Sequence, residues 1–255
     1  MSTKKFTGKV AIVTGAGQGI GFEIARQMVL AGAAVLINDI NENLVQKAAE
    51  MISSGGGKCY ALAGDSSDVN FIRQLVDTTV QHFGRLDIAI ANAGITLFGD
   101  FLTYPPESLQ SVMNLNLQGS FFLAQKAANQ MIKQESGGSI LFMSSVTGHQ
   151  AHANLVAYGM TKAALEMLAK GLVVELSPYQ ITVNTVAPGA TLTERTLEDA
   201  GYKNTWSRIT PMGRPATVED VANAVLFLVS PDSGHITGQN IIVDGGWTAV
   251  STSPY

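Results

Sequence analysis

Seven short runs rich in Val, Ile and Leu alternate with longer segments of helical character almost to the C-terminus, and this rhythm limits the fold more than any other feature. The runs are VAIVT at 10–14, AVLIN at 34–38, KCYALA at 58–63, LDIAIA at 86–91, SILFMS at 139–144, ITVNTVA at 181–187 and NIIV at 240–243. Between them the pattern predicts helices at 19–31, 42–54, 68–83, 107–134, 156–177 and 217–229. The strands are almost continuously apolar, as a sheet covered on both faces requires; a half-solvated strand would alternate with polar residues. The expectation is one α/β domain over residues 1–255, a doubly wound parallel sheet of about seven strands with helices on both faces. Glycine clusters at 55–57 and 137–138 separate helices from following strands. One stretch breaks the rhythm: PGATLTERTLEDAGYKNTWSRITPMGRP, residues 188–215, has no clear periodicity and reads as a functional lid.

Charge and composition remove several classes of function. Sixteen Lys plus Arg against twenty Asp plus Glu give a formal charge of −4, without the basic block of a nucleic-acid binder. The longest apolar run, Met28 to Ile37, is interrupted by Gly32 and falls short of the roughly 20 residues that cross a bilayer. The opening MSTKKFTGKVAIVTG lacks the apolar core of a secretory signal. Cys59 is the only cysteine, sits in an expected strand and reads as a small buried hydrophobe, which fits a reducing, cytoplasmic setting.

Directly after the first run comes TGAGQGIG, residues 14–21, opening the first helix. Gly15, Gly19 and Gly21, with Gln18 and Ile20 between them, make a tight turn that lets the backbone approach a pyrophosphate. The helix N-terminus then offers unpaired N–H groups and partial positive charge to the anion. Eighteen residues beyond Gly21, Asp39 ends the second run, where a carboxylate accepts both ribose hydroxyls of an adenosine and repels a 2′-phosphate. No Arg or Lys stands in the glycine loop or at 38–41, so the cofactor expected is NAD rather than NADP. Asp39 also suits a helix cap, as do Asn38 and Asn41.

In VAYGMTK, Tyr158 and Lys162 lie one helical turn apart, close enough for the ammonium to favour the phenolate. Alone, the pair fits a solvated helix face equally well, since Glu166 and Lys170 continue the stripe at the same spacing. Its company decides between the two. Asp65-Ser66 follows the third strand, Asn92-Ala93-Gly94 the fourth and Pro188-Gly189 the sixth; Asn116 lies in NLNLQG and Ser145 in MSSVTG. With the glycine loop, these residues resemble the classical short-chain dehydrogenase/reductase family over essentially the whole chain.

That resemblance implies a Rossmann-type domain and a tetrad. Tyr158 would be the acid/base, and Lys162 would support it and hold the nicotinamide ribose. Ser145, 13 residues before Tyr158, would orient the substrate oxygen in preference to Ser144, while Asn116 would help hold a relay water. Separately, Ser145 could merely end a strand and Asn116 merely interrupt a helix. On the cofactor, Asp65 would meet the adenine. Asn92 and Gly94 would pass beneath the adenosine ribose or stabilise the central strand, and Thr191 and Thr193 would face the carboxamide. Two departures are visible, Ala91 where the family usually has asparagine and Ser66 where an apolar residue often stands.

Ligands of an open parallel sheet bind beyond the carboxyl ends of the strands, which selects the loops after Ser145 and Pro188 as pocket walls. Their His149, Gln150, His152, Asn154, Glu194, Arg195 and Trp206 suit a small polar substrate, if they face inward rather than into solvent. The fragment INDIN at 37–41 points weakly to sugar and aldonate dehydrogenases. A 3-oxoacyl thioester reductase is the alternative within the family, and a catalytically silent nicotinamide sensor is the alternative outside enzymes. His149 and His152 lack the further ligands of a metal site, so none is expected. By analogy the chain is a homotetramer, with Phe121, Phe122, Met167 and Leu168 as candidate contacts and the tail WTAVSTSPY able to reach another subunit.

Overall fold

In the computed structural model, which describes residues 4–250, all seven expected strands form and every pairing is parallel. They are β1 (Val10–Val13), β2 (Ala34–Asp39), β3 (Lys58–Ala63), β4 (Ile88–Ala91), β5 (Gly138–Met143), β6 (Ile181–Pro188) and β7 (Asn240–Val243). Their order, β3-β2-β1-β4-β5-β6-β7, places the winding reversal between β1 and β4, so the turns leaving these strands diverge and open a crevice. Residues 251–255 of the expected intersubunit tail lie outside the described residues, while Trp247–Ala249 form a short 3₁₀ turn.

The apolar strands serve two cores. Ala11, Val13, Val35, Ile37, Ile90 and Leu141 face a layer shared with α1 (Gly19–Leu30), α2 (Glu42–Ser53) and α9 (Val218–Leu228). The alternate residues Ile12, Leu36, Ala89, Ile140 and Phe142 face α3 (Val69–Phe83), α5 (Ser120–Lys133) and α6 (Val156–Leu176). Full burial contributes about 1.5–3 kcal/mol for each large side chain, so the strand ends that carry the site stand on a rigid platform. The edge strands are less covered: β3 shows Lys58 and Tyr60 to solvent, and β7 shows Ile242.

Two expectations need correction. The helix expected over 107–134 is α4 (Pro106–Val112) and α5 joined by a π-helical turn, Met113–Gly119. Asn116 sits inside this turn with its amide bonded across to Ile95, and Gly119 packs against the Ser66 carbonyl too tightly for a side chain. Widened turns of this kind are concentrated at functional sites. Residues 188–215 are not irregular throughout, for they hold α7 (Glu194–Leu197) and α8 (Tyr202–Ile209). Helices of one or two turns are too short to display a 3.6-residue stripe.

Candidate active site

The carboxyl ends of β1, β4, β5 and β6 open into a cleft of about 320 Å³. One end is made by the turn after β1. Gly15 has φ +61°, the left-handed region, and a Cβ there would lie 2.8 Å from the Ala93 Cα. Gly21 has no room for a Cβ against the Gly15 carbonyl and the Asn92 amide. Asn92 Nδ2 donates to the carbonyls of Thr14 and Gly15, each at 2.9 Å, while Thr14 Oγ1 accepts from the N–H groups of Asn92 and Ala93 at 3.1 Å. Asn92 therefore clips β1 to β4, the stabilising one of its two expected roles. Gln18, at the start of α1, makes no side-chain cap, so the first N–H groups of that helix stay directed at the cleft.

Asp39 lies beside this turn. Its Oδ2 accepts from Gly17 N at 3.2 Å and its Oδ1 from Asn41 N at 3.1 Å. The cap of α2 is Asn41, whose side chain accepts from Leu44 N, so the capping alternative for Asp39 falls. Asp65 is exposed and does not line the cleft; it accepts from Ser67 N at 2.8 Å. Ser66 turns inward and donates to Asn38 Oδ1 at 2.6 Å, tying β3 to β2 where an apolar neighbour would only pack.

The other end belongs to α6. Tyr158 and Lys162 both line the cleft, and the Lys162 Nζ stands 5.4 Å from the centre of the Tyr158 ring. Lys162 is 3% exposed and donates to the Met143 carbonyl at 2.7 Å. Asn116 stands behind Gly94 rather than in the cleft. It accepts from Ile95 N at 2.8 Å and donates to Ile95 O at 2.9 Å and Thr161 Oγ1 at 3.2 Å, bracing the β4 loop against α6. Ser145 borders the cleft at the head of a short turn, its Oγ accepting from Thr147 N at 3.3 Å.

The outer wall is the segment after Pro188-Gly189. Thr191 and Thr193 line it, and Thr193 caps α7 through a reciprocal bond with Thr196. Glu194 and Arg195 are exposed on the rim, and Glu194 Oε2 lies 3.6 Å from where a Gly19 Cβ would be. Tyr202 also borders the cleft; burial pushes its phenol up, and its Oη accepts from Thr191 N at 3.2 Å. His149 turns to Glu166, Nδ1 to Oε1 3.4 Å. His152 and Trp206 do not line the cleft but pack on Trp247, with ring centres 5.0 and 5.1 Å away. Burial lowers the His152 pKa, and its Nε2 is buried without a partner.

A family profile described as enoyl-(acyl carrier protein) reductase matches residues 15–248. Tropinone reductase-like 3 of Erythroxylum coca is 37% identical, covering 96% of this chain and 95% of its own. L-rhamnose-1-dehydrogenase of Scheffersomyces stipitis is 36% identical, covering 96% and 97%. A short-chain type dehydrogenase/reductase from Mycobacterium marinum superposes with TM-score 0.92 at 35% identity over 97% of this chain and 98% of that one. The chain belongs to the short-chain dehydrogenase/reductase family. A further member, a gluconate 5-dehydrogenase from Burkholderia cenocepacia solved with NADP and tartrate, superposes with TM-score 0.90 at 32% identity over 98% and 100%.

This short-chain dehydrogenase/reductase is thus an oxidoreductase of the class acting on CH–OH groups. Among the described residues, no helix is long and apolar enough to cross a membrane. Sequence reasoning missed Gly17, whose N–H holds Asp39 and whose missing side chain makes room for that carboxylate. The second glycine of GAG was the available signal. It also missed Thr96, Thr196 and Tyr202, which are brought to the cleft by chain geometry rather than by a motif, and Trp247, which packs on Trp206.

Proposed function

We propose that this enzyme uses NAD to interconvert a secondary alcohol and a ketone on a small polar substrate such as a sugar, polyol or aldonate. The observation that carries the proposal is the meeting of Tyr158, Lys162 and Ser145 in one cleft with the glycine turn. A dinucleotide suits the cradle, because the bare backbone at Gly21 and the open start of α1 leave space and N–H groups for a pyrophosphate. Gln18, Gly19 and Ile20 would border the phosphates, and Asp39 would accept the adenosine ribose hydroxyls. Asp65 and Ser66 would border the adenine, and Ala93 and Gly94 the ribose. Pro188, Gly189, Thr191 and Thr193 would receive the carboxamide, with Lys162 on the nearer ribose. NAD, when bound, supplies the hydride acceptor.

The chain's own part is the proton. Tyr158 takes it from the alcohol, or returns it to the ketone, while the buried Lys162 ammonium stabilises the phenolate. Ser145 donates to the substrate oxygen, and Asn116 keeps the β4 loop registered against α6 beside a relay water. Against NADP stands Asp39, already accepting two backbone N–H groups, with no cation at 38–41 to receive an added phosphate. The gluconate relative was solved with NADP, so the preference has to be read from this chain's own carboxylate.

The polar rim at Thr96, Glu194 and Arg195, and the rhamnose and gluconate named in two relatives, support a hydroxylated substrate. Residues 188–215 would act as its lid, with His149, His152 and Trp206 behind the wall. We also propose a cytoplasmic homotetramer paired through the groove of α4, α5 and α6, where Phe121 is 42% and Met167 65% exposed beside Phe122 and Leu168. Native mass spectrometry checks that assembly.

The test of function follows reduced nicotinamide by absorbance, with NAD and NADP against sugars, polyols, aldonates and simple secondary alcohols, and with NADH and NADPH against 3-oxoacyl thioesters. Turnover of a polyhydroxylated substrate with NAD is expected. Turnover of thioesters alone would favour the acyl reductase, and tight NADH binding without turnover would favour a sensor.

A further inference from the structure

Glu166 lies one turn beyond Lys162 on α6, so Tyr158, Lys162 and Glu166 follow one another along a single helix face. Its spacing to Lys170 matches a solvated ion pair, yet its side chain is only 15% exposed and turns into the fold. Glu166 Oε1 accepts from Ser144 Oγ at 2.7 Å and lies 3.4 Å from His149 Nδ1. Gly148 packs so closely that a Cβ there would be 2.8 Å from the same oxygen.

Those three contacts bracket the catalytic turn. Ser144 is buried where the chain leaves β5, its N–H bonded to Val186 O at 2.8 Å, and Ser145 follows directly. The turn then closes through Gly148 N to Ser145 O at 2.9 Å and His149 N to Val146 O at 3.2 Å. Ser144 Oγ also stands 3.2 Å from the Lys162 carbonyl, but its single proton goes to the nearer carboxylate. The carboxylate therefore grips the turn at its first residue and at its last.

We propose that Glu166 is a positioning residue: by fastening Ser144 and His149 to α6, it sets the placement of Ser145 relative to Tyr158 and Lys162. A hydroxyl that must meet the same substrate oxygen as a phenol tolerates little drift, since a misplacement of about 1 Å costs roughly 100-fold in rate. The proposal rests on the dehydrogenase reading, and the test separates the two.

The experiment compares wild type with Glu166→Ala, Glu166→Gln, Ser144→Ala, the Glu166→Ala/Ser144→Ala pair, and Lys170→Ala as an exposed control. It uses a substrate from the screen and NADH binding by fluorescence. Glu166→Ala is expected to lower kcat roughly 10- to 100-fold, with the NADH Kd within about twofold. Glu166→Gln keeps an oxygen for Ser144 Oγ and should stay within about threefold of wild type. The double variant should be no slower than Glu166→Ala alone, because both remove one contact. A wild-type kcat in Glu166→Ala overturns the proposal. So does an equal loss in Glu166→Gln, additivity in the double variant, or a matching fall in NADH binding.

If wild type binds NADH but turns nothing over, the dehydrogenase reading fails, and hydrogen exchange then judges the clamp. Amides of Gly148, His149 and Gln150 should exchange roughly tenfold faster in Glu166→Ala and at the wild-type rate in Glu166→Gln. Unchanged exchange in Glu166→Ala overturns the proposal.

Discussion

At the proposed nucleotide end of the cleft the groups on offer are mostly main-chain atoms: the start of α1, the bare turn at Gly15 and Gly21, and the Gly17 N–H that holds Asp39. At the other end they are side chains drawn from separate segments, with Ser145 after β5, Tyr158 and Lys162 on α6, and Thr191 and Tyr202 after β6, while the packed trio His152, Trp206 and Trp247 stands behind the wall. Main-chain groups offer the same contacts whatever side chains surround them, so such an end suits a ligand common to many enzymes. Side-chain walls on loops can change one residue at a time, and substrate choice is written there.

The largest test of this division is Tyr158→Phe. On the proposed mechanism, loss of the phenolic oxygen removes the group that moves the proton, and kcat should fall about 10³-fold, within the range of general acid–base catalysis. The NADH Kd, measured by fluorescence, should stay within about twofold, because Tyr158 belongs to the substrate end. A parallel loss of nucleotide affinity would show that the two ends are not separable.

A smaller effect, confined to the opposite end, is expected of Asp39→Ala. Hydrogen bonds to a charged group contribute roughly 1.5–3 kcal/mol, so the NAD Kd from titration calorimetry should rise about 10- to 100-fold. NADP should bind no more weakly than to wild type, since the variant removes a charge that repels its phosphate. Unaltered discrimination between the two cofactors would move the specificity determinant away from this carboxylate.

The same division explains what the chain revealed of itself. Parallel strands and their helices were legible because each repeats a short apolar pattern, and the glycine turn because spacing alone defines it. The shared cleft of Tyr158 and Lys162 was legible, because their spacing is local, whereas Asn116 shows its bracing part only through the π-helical turn that aims it at Ile95. Glu166 reads as a surface partner of Lys170 because spacing does not tell which way a carboxylate turns; its partners Ser144 and His149 lie on another segment. Trp247 carries no local signal at all, since its meaning comes from α8, whose Trp206 packs against it.

The smallest predicted effect probes that aromatic contact through pH. Burial holds the His152 imidazole below its ordinary range, and its ring lies 5.0 Å from Trp247, which in turn meets Trp206 of α8. The unfolded chain therefore binds a proton at this position more readily than the folded one. Stability from His152 is complete above the ordinary histidine value of about 6.5 and is lost as pH falls through it toward the lower folded value. His152→Phe keeps the stacked ring, sacrifices no hydrogen bond because Nε2 has no partner, and removes the titration. Between about pH 7.5 and 5.5 the wild-type Tm should drop roughly 1–3 °C more than that of the variant. Asp220 and Asp244, both held below the ordinary aspartate value, stay ionised across this window in both proteins and do not enter the difference. Equal drops would mean that the imidazole is wet and the aromatic trio open, and the substrate end would then lose the packed wall that sets it apart from the glycine turn.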